Sequence, residues 1–265
     1  MARAMTGTTD RVIALLCGVA EAPDGLTLTE LSHALDLAPS TIHRMLDRLG
    51  ALGIVRLDRD GRHYVAGLEF YRLSALVVER TDLTRIARRG LADLADETGE
   101  TCFLALYMPH ERCMMYESRI TGSRSIHIAT ELHARLGMAY GAAGLAMLSA
   151  LQPLEVDGIL SGDDEAAGPR ASLFDVLAGI RRLGYAVRQD ERIGDAVEIA
   201  APLSDVTGRM VGAFSIAIPA AGFDADAETF MGRMVIEHAN SLSKILGDTG
   251  DSRERRRVKD WSLRS

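Results

Sequence analysis

The fold of the amino-terminal region can be inferred from residues 27–67, TLTELSHALDLAPSTIHRMLDRLGALGIVRLDRDGRHYVAG. Thr27 followed three residues later by Glu30 is a capping box, which predicts that a helix begins here. A four-residue turn, 36–39, leads to a further helix, and Pro39 suits its first position because the missing N–H would be unpaired there anyway. The apolar positions of this further helix repeat at the spacing of one buried face: Ile42, Met45, Leu46 and Leu49.

A hairpin follows these two helices and another helix precedes them. Residues 54–58 and 63–67 have the composition of short strands on either side of Asp60-Gly61, a dipeptide that is typical of tight hairpin turns. Residues 8–22 carry an apolar stripe at helical spacing. Three short helices followed by a hairpin is the layout of a winged helix-turn-helix, which we predict for residues 1–67.

The rest of the chain falls into three parts. Residues 68–82 begin with LEFYRLSALVVER, whose apolar stripe predicts a linker or dimerisation helix. Residues 83–247 combine helices with strands of mostly antiparallel character, which predicts an α+β domain whose last helix stops at Gly247. Residues 248–265 are basic, and we predict that they form a flexible tail.

The composition is that of an ordinary soluble protein and excludes several classes of function. Of the 265 residues, 47% are hydrophobic and 25% are charged, and no apolar run approaches the ~18 residues of a membrane span. The first residues lack the apolar stretch of a signal peptide, so we expect a cytoplasmic protein that has no membrane partner. The three cysteines and seven histidines have no metal-like spacing, and we predict neither a metal site nor a cofactor.

One face of the helix that begins at Pro39 has the side chains that recognition of double-stranded DNA needs. An α-helix fits the major groove, where its exposed side chains reach base edges and phosphates. Arg44 is the best candidate for a bidentate base contact, although the net charge of −7 and the nearby Asp47 and Asp58 are unfavourable for phosphate. The predicted DNA contacts come from this helix and from the hairpin: Ser40, Thr41, His43, Arg44, Arg48, Arg59, Arg62 and His63. The alternative is a winged helix that binds protein and leaves this face solvated.

Residues 28–67 resemble the helix-turn-helix and wing of the IclR family of bacterial regulators. The likeness continues through LADLADETGETCFLALY, YGAAGLAMLSAL and IRRLGYAVRQDERIGDAVEIAAPLSDVTGRMVGAFSIAIP, in the family's order and spacing, and so covers most of the chain. The resemblance implies a GAF-like effector-binding domain and a homodimer or homotetramer. It also implies that a small-molecule effector controls binding to operator DNA and thereby a catabolic operon.

A candidate effector site lies where small residues coincide in the α+β domain. In RMVGAFSIAI, strand alternation predicts a core face that includes Met210 and Phe214 and an opposite face of small residues, which leaves room for a ligand or a closely packed helix. Free N–H groups at the start of the helix GAAGLAML would suit a ligand carboxylate, and Tyr107, Tyr116 and Tyr140 are candidates to line the site. By resemblance, the positions that match the family's effector contacts are Leu136, Ala142, Ala143, Glu198, Ser215 and Ala217, together with Arg188 at a position that is acidic in some members.

The chain departs from the family pattern around this site. It has Gly137-Met138-Ala139-Tyr140 where the family usually has Pro-Leu/Met-His-Ala, and Glu198 where a small residue or cysteine is common. We expect an organic or aromatic acid as the effector. Because two buried carboxylates without a cation are costly, such a ligand requires that Glu198 be protonated or paired with Arg188. If Glu198 is free and ionised, an amino- or hydroxyl-bearing ligand is expected instead.

Two other functions remain as alternatives. The first is an enzyme with an attached DNA-binding module, but adjacent acids such as Asp190 and Glu191 point to different sides of a strand or turn, which suits acid–base catalysis poorly. The sequence also lacks the common nucleophile, phosphate-binding and zinc-protease motifs. The second is a DNA-binding dimer whose C-terminal domain only oligomerises and binds no ligand.

Overall fold

The computed structural model describes residues 7–80, 82–124, 130–161, 170–189, 195–205, 207–221 and 223–261, with side chains except at 78–84, 170–171 and 246–261. The chain forms two compact units, Met1–Thr81 and Asp82–Ser265. Asp190 and Glu191 lie outside the described residues.

The first unit is a winged helix followed by one more helix. In chain order its elements are α1 Thr8–Glu21, α2 Leu28–Leu35, α3 Pro39–Ala51, β1 Val55–Leu57, β2 Tyr64–Ala66 and α4 Leu68–Arg80. The predicted capping box starts α2, because the Thr27 N–H donates to Glu30 Oε2 at 2.7 Å and the Glu30 N–H donates to Thr27 Oγ1 at 3.2 Å. β1 and β2 pair antiparallel, and Gly61 in the connecting turn has a φ of +68°, which favours glycine. The predicted winged helix-turn-helix is confirmed.

One buried cluster joins the helices and the hairpin of this unit. The four apolar positions of α3 all lie in it, as their spacing predicts: Ile42, Met45, Leu46 and Leu49. They pack with buried side chains of the other elements, which are Leu15, Val19, Leu31 and Val55. One side of α3 packs in this core, and the opposite side faces solvent.

The second unit is an α+β domain built on one antiparallel sheet. Its elements are α5 Asp82–Thr98, β3 Thr101–Met108, β4 Cys113–Ile120, β5 Leu136–Gly137, α6 Gly141–Ala150, α7 Pro153–Leu160, α8 Arg170–Leu183, β6 Ala186–Gln189, β7 Ala196–Ser204, β8 Met210–Pro219 and α9 Ala225–Trp261. The strand order is β5-β4-β3-β8-β7-β6, and every neighbouring pair is antiparallel. One buried cluster joins one face of the sheet to α5 and α9, and a second joins the other face to α6, α7 and α8. The predicted α+β architecture is confirmed.

The start of β8 differs from the expectation drawn from its sequence. Phe214 lies in the cluster with α5 and α9, whereas Met210 lies in the cluster on the opposite face. The register between β7 and β8 shifts there, because Leu203 pairs with Gly212 and the next residue of β7 pairs with Met210. The prediction that Met210 shares a face with Phe214 was wrong, since a period of two cannot reveal a β-bulge.

The last helix is longer than its sequence pattern predicts. α9 runs through Gly247 to Trp261, so the prediction that it stops at Gly247 was wrong, and residues 248–261 of the predicted tail continue the helix. A glycine inside a helix costs about 1 kcal/mol, and the arginine-, glutamate- and lysine-containing stretch that follows has favourable helix propensity. In the part of the chain that the structure describes, no helix combines the length and the apolar character needed to cross a membrane.

Candidate DNA-binding and effector sites

The solvent face of α3 holds most of the predicted DNA contacts. Ser40, His43, Arg44 and Arg48 are exposed, and Thr41 is half-buried near the start of the helix. The guanidinium group of neither arginine forms a hydrogen bond or an ion pair with another described residue. Both guanidinium groups are therefore free to bind an external partner.

Asp47, which the sequence places unfavourably for phosphate, is paired within α3. The Nδ1 atom of His43 lies 3.0 Å from Asp47 Oδ2, and the two residues are one helical turn apart. The pair is largely exposed, so its contribution to stability is small. The contact gives the Asp47 carboxylate a partner within α3, next to Arg44.

Asp58 organises the tip of the hairpin. Its Oδ1 accepts hydrogen bonds from the backbone N–H groups of Arg62 at 2.9 Å and His63 at 3.2 Å, and its Oδ2 lies 3.2 Å from His63 Nδ1. These bonds, of which the one from the Arg62 N–H has the largest effect, hold the pKa of Asp58 below its ordinary value. The turn presents Arg59 and Arg62 as exposed side chains, while His63 is half-buried. Sequence reasoning treated Asp58 only as an unfavourable charge and missed this structural role.

The candidate effector residues of the second unit meet where α6 packs on β7 and β8. Glu198 of β7 pairs with Ala217 of β8, and two residues further along Ala200 pairs with Ser215, so these side chains share a face of the sheet. Ala142 and Ala143 are fully buried at the amino end of α6, on the same side. The structure therefore brings five of the predicted residues together. A sixth, Leu136 on β5, is partly buried against the same cluster.

The Glu198 carboxylate occupies the amino end of α6. Its Oε2 accepts a hydrogen bond from the Ala142 N–H at 2.6 Å and a longer one from the Ala143 N–H at 3.4 Å. Its Oε1 accepts a hydrogen bond of 2.8 Å from the hydroxyl of Tyr116 on β4. Glu198 is only 2% exposed. We predicted from the sequence that these helix N–H groups would bind a ligand carboxylate. In the structure they bind a carboxylate of the protein itself.

Gly141 makes room for this carboxylate. Its φ is +61°, and a Cβ at this position would lie 2.5 Å from Glu198 Oε2 and 3.2 Å from the Tyr116 hydroxyl oxygen. Any other residue would therefore be strained in its backbone and would also collide with the carboxylate. The first residue of α6 is glycine for both reasons.

Burial raises the pKa of Glu198 above its ordinary value. The hydroxyls of Ser215 and Tyr116 and the α6 N–H groups oppose this shift, because they favour the charged form. The Ser215 hydroxyl lies close enough to act on the carboxylate, but its Oγ makes no well-formed hydrogen bond with any described residue and is completely buried. The site thus contains one buried hydroxyl that still lacks a proper partner.

Arg188 does not neutralise Glu198. The two residues are paired across β6 and β7, but the Nη1 of Arg188 donates to the carbonyl oxygen of Ala139 at 3.2 Å. Of the two conditions that an acid ligand requires, pairing with Arg188 is therefore not met in this structure. Protonation, which the raised pKa of Glu198 favours, is the condition that remains.

The three candidate tyrosines have different surroundings. Tyr116 contacts Glu198 directly, and Tyr140 is half-buried immediately before α6. Tyr107 lines a separate cavity of about 460 Å³ near the other end of α6, together with Leu151 and Met210. Across the described ranges, no group of three or more His, Cys, Asp or Glu side chains is arranged to hold a metal ion.

Both units match one protein family in sequence. Residues 8–59 match the IclR helix-turn-helix domain, and residues 75–244 match the bacterial transcriptional regulator IclR C-terminal domain. The chain is 29% identical over 252 residues to the HTH-type transcriptional regulator BhcR of Paracoccus denitrificans, an alignment that covers 93% of this chain and 89% of that protein. This relative is a transcriptional regulator.

Solved structures show the same fold. A protein from Silicibacter sp. TM1040 that is assigned as an IclR transcriptional regulator superposes with a TM-score of 0.79 at 24% identity, over 91% of this chain and 96% of its own. An IclR homologue from Microbacterium hydrocarbonoxydans, solved in complex with 4-hydroxybenzoate, superposes with a TM-score of 0.74 at 20% identity, over 89% of this chain and 97% of its own. The winged helix, the α+β domain and the two family matches together identify this chain as a member of the IclR family of DNA-binding transcriptional regulators.

Proposed function

We propose that this regulator binds operator DNA through the exposed face of α3 and the β1–β2 hairpin, and that a small organic or aromatic acid bound beside Glu198 controls that binding. In this proposal residues 1–67 bind DNA, residues 68–82 link and dimerise, and residues 83–247 bind the effector. The regulated genes form a catabolic operon, as the family likeness suggests. The protein acts in the cytoplasm, where operator DNA is found, as a repressor or an activator.

The unpaired arginines of the first unit support the DNA contacts. Arg44 and Arg48 project from α3 without an internal partner among the described residues, and Arg59 and Arg62 project from the hairpin tip. An arginine on a recognition helix reads guanine through two parallel hydrogen bonds, whereas arginines on a wing bind phosphate. Ser40 and Thr41 lie at the positive end of α3, where hydroxyls and backbone N–H groups bind phosphate well.

The observation that carries the effector proposal is the set of donors around the Glu198 carboxyl group. Two N–H groups of α6 and the Tyr116 hydroxyl already converge on one carboxylate. The completely buried Ser215 hydroxyl beside them has no partner of good geometry among the described residues. A site that holds one carboxylate in this way has the chemistry to hold the carboxylate of a ligand. The homologue that binds 4-hydroxybenzoate supports an acid as the ligand class.

Exposed apolar side chains on α4 support self-association, with a second copy of the chain as the partner. Leu68, Tyr71 and Val77 are 79%, 71% and 65% exposed on this one helix. Because these large apolar side chains have little cover within the first unit, they are candidates for burial against a partner. We propose a homodimer through α4, or a homotetramer built from such dimers.

The test measures DNA binding and ligand response together. A mobility shift on the region upstream of the regulator's own gene, with and without a panel of aromatic and short aliphatic acids, should reveal a specific complex whose affinity changes with one acid. A matched panel of alcohols and amines provides the control for ligand class. Specific DNA binding that no ligand of any class alters would contradict the effector proposal and leave the DNA proposal standing.

A second candidate function is favoured by the occupied site itself. Because Glu198 already accepts from the Ala142 and Ala143 N–H groups, this helix end has an acceptor without a ligand, and the domain could serve only to oligomerise. Thermal-shift screening against small metabolites separates the two functions. A saturable rise in the unfolding temperature with one metabolite supports an effector domain, and no response to any metabolite supports a platform for oligomerisation.

A further inference from the structure

The donors at the amino end of α6 are already bound to an anion that belongs to the chain. The Ala142 and Ala143 N–H groups both donate to Glu198 Oε2, at 2.6 and 3.4 Å. The amino end of a helix carries a partial positive charge, so it attracts a carboxylate from a ligand and from the protein alike. Two carboxylates cannot accept the same hydrogen bonds at the same time.

Two other groups show that this is more than an ordinary helix cap. The Tyr116 hydroxyl reaches the same carboxyl group from β4, at 2.8 Å. The Ser215 hydroxyl on β8 is 0% exposed and finds no well-formed hydrogen bond within the described residues. Buried hydroxyls are rarely left without a well-aligned partner in native structures, and this one lies beside the Glu198 carboxyl group, whose charged form it favours. Donors from three elements, α6, β4 and β8, therefore surround one position.

Among the described residues, none places a cation in an ion pair with Glu198. Arg188, its partner in the register of β6 and β7, donates to the Ala139 carbonyl oxygen instead. No residue of α6 carries a charge, since its sequence is GAAGLAMLSA. The contacts that the described residues make with this carboxylate are hydrogen bonds, which a ligand of the same chemistry can replace.

We infer that the Glu198 carboxyl group is a built-in occupant of the position that the α6 amino end offers to an acid, and that an acid ligand binds in competition with it. This inference rests on the proposed function, in which the ligand is an acid. Glu198 thereby determines specificity: it weakens the binding of every simple acid and admits only a ligand whose remaining contacts compensate for displacing it.

The test removes the occupant and asks whether an external carboxylate replaces it. In the full-length Glu198→Ala variant the α6 N–H groups and the Tyr116 hydroxyl lose their acceptor, and formate is small enough to enter the space that the side chain leaves. Formate should raise the unfolding temperature of this variant in a saturable manner, because it binds only the folded state. The wild type should not respond beyond the effect of chloride at equal ionic strength. The affinity of the variant for 4-hydroxybenzoate should exceed that of the wild type by about tenfold or more.

Two further variants complete the design. Glu100→Ala is the matched control, because Glu100 is also a buried glutamate, 6% exposed, but its carboxylate pairs with Arg124 at 3.6 Å and does not contact α6. Its stability should not respond to formate. If Glu198→Ala does not fold in isolation, Glu198→Ser, which keeps a small polar side chain, is measured in its place.

The outcomes separate the inference from the proposed function. Equal stabilisation of the wild type and Glu198→Ala by formate would overturn the inference. The inference would also be overturned if the wild type and Glu198→Ala bound 4-hydroxybenzoate with equal affinity while acids did alter the DNA binding of the wild type. In that case the proposed function stands. A third outcome is that formate stabilises Glu198→Ala but not the wild type, while no acid alters DNA binding by the wild type. This outcome supports the inference that Glu198 occupies the α6 amino end and contradicts the proposal of an acid effector.

Discussion

The carboxylate of Glu198 on β7 accepts a hydrogen bond of 2.6 Å from the backbone N–H of Ala142, at the amino end of α6. These residues lie 56 positions apart in the sequence, so the bond joins a strand of the sheet to the start of a helix that packs on it. When the carboxyl group is ionised, charge assistance strengthens this bond, since an anionic acceptor then meets the positive end of the helix. A ligand that takes this N–H must move the strand side chain, and a change at Glu198 must alter the helix end.

Replacing Arg44 by alanine should weaken binding to the specific operator by roughly 1–3 kcal/mol, the cost of losing one bidentate base contact. The guanidinium is exposed on α3 and has no partner among the described residues, so the change should leave the fold intact. A mobility shift on the upstream region of the gene measures the effect. Arg233→Ala is the matched control, because Arg233 is an exposed arginine of α9, in the second unit, that is paired with Glu237. Unchanged affinity in Arg44→Ala would remove this residue from base recognition.

Replacing Arg62 by alanine should weaken binding to all duplexes to a similar extent. Arg62 lies at the hairpin tip, and its backbone N–H, not its side chain, holds the turn by donating to Asp58. A phosphate contact carries no sequence information, and its loss should reduce the slope of log affinity against log salt by about one. Titrations of specific and random duplexes over a range of salt concentrations measure that slope. A loss confined to the specific duplex would instead assign Arg62 to base recognition.

The winged helix could be predicted from sequence because its signals are local. The capping box at Thr27, Pro39 at the start of α3 and Gly61 in the hairpin each act within a few residues, and all three have their expected roles. The β-bulge that turns Met210 to the other face is not local, since it depends on the pairing of β8 with β7. The continuation of α9 beyond Gly247 is a related case, because a glycine permits a helix to end without requiring it.

The candidate effector site could be predicted only in part. Its residues are named by family resemblance, and the structure does bring Ala142, Glu198 and Ser215 to one place. What could not be predicted is that Glu198 itself takes the N–H groups of α6. The sequence did contain a relevant signal, because Glu198 stands where the family commonly has a small residue or cysteine, and the α6 sequence contains no charged residue. Deciding where its carboxylate points requires three-dimensional contacts between β4, β7 and α6.

The regulator should bind an inverted repeat as a symmetric oligomer. In a symmetric dimer, the distance between the two recognition helices is one turn of DNA, ~34 Å, or a multiple of that length. Footprinting should therefore show two protected half-sites. Tyr71→Glu, which places a charge among the exposed apolar side chains of α4, should shift light scattering towards the monomer and weaken binding to the full site. A wild type that is a stable monomer and binds one unrepeated half-site would contradict this assembly.

The stability gained by Glu198→Gln should increase with pH. Burial raises the pKa of Glu198 in the folded protein, so the folded state binds its proton more tightly than the unfolded chain, whose ordinary value is about 4.5. The Glu198 contribution to the free energy of unfolding therefore falls as the pH rises from that value through the raised pKa, by at most about 1.4 kcal/mol per pH unit. Glutamine cannot ionise and escapes this loss. The other groups that face the carboxyl are the Tyr116 hydroxyl, the Ser215 hydroxyl and Arg188 across the strand pair.

Urea unfolding of both proteins at pH 5 and pH 8 measures this difference. Glu237→Gln is the matched control, because Glu237 is an exposed carboxylate on α9, and its stability relative to the wild type should change little over the same range. A Glu198→Gln variant whose relative stability stays constant or decreases towards pH 8 would show that Glu198 does not favour its protonated form in the folded protein.

The ligand class should be decided by calorimetry of the same Glu198→Gln variant. Glutamine keeps the volume of the side chain and an oxygen acceptor for the Ala142 N–H, but it removes the negative charge that an acid ligand must approach. If the effector is an organic or aromatic acid, the variant should retain or gain affinity for it, because a neutral amide is easier to displace and does not repel a carboxylate. If the effector carries an amine or a hydroxyl that donates to an ionised Glu198, the variant should lose affinity, since a charge-assisted hydrogen bond becomes a neutral one. Titrating acids, amines and alcohols into both proteins distinguishes these cases. If the variant lost all ligand binding, Glu198 itself would be the ligand contact, and this result would contradict the acid hypothesis.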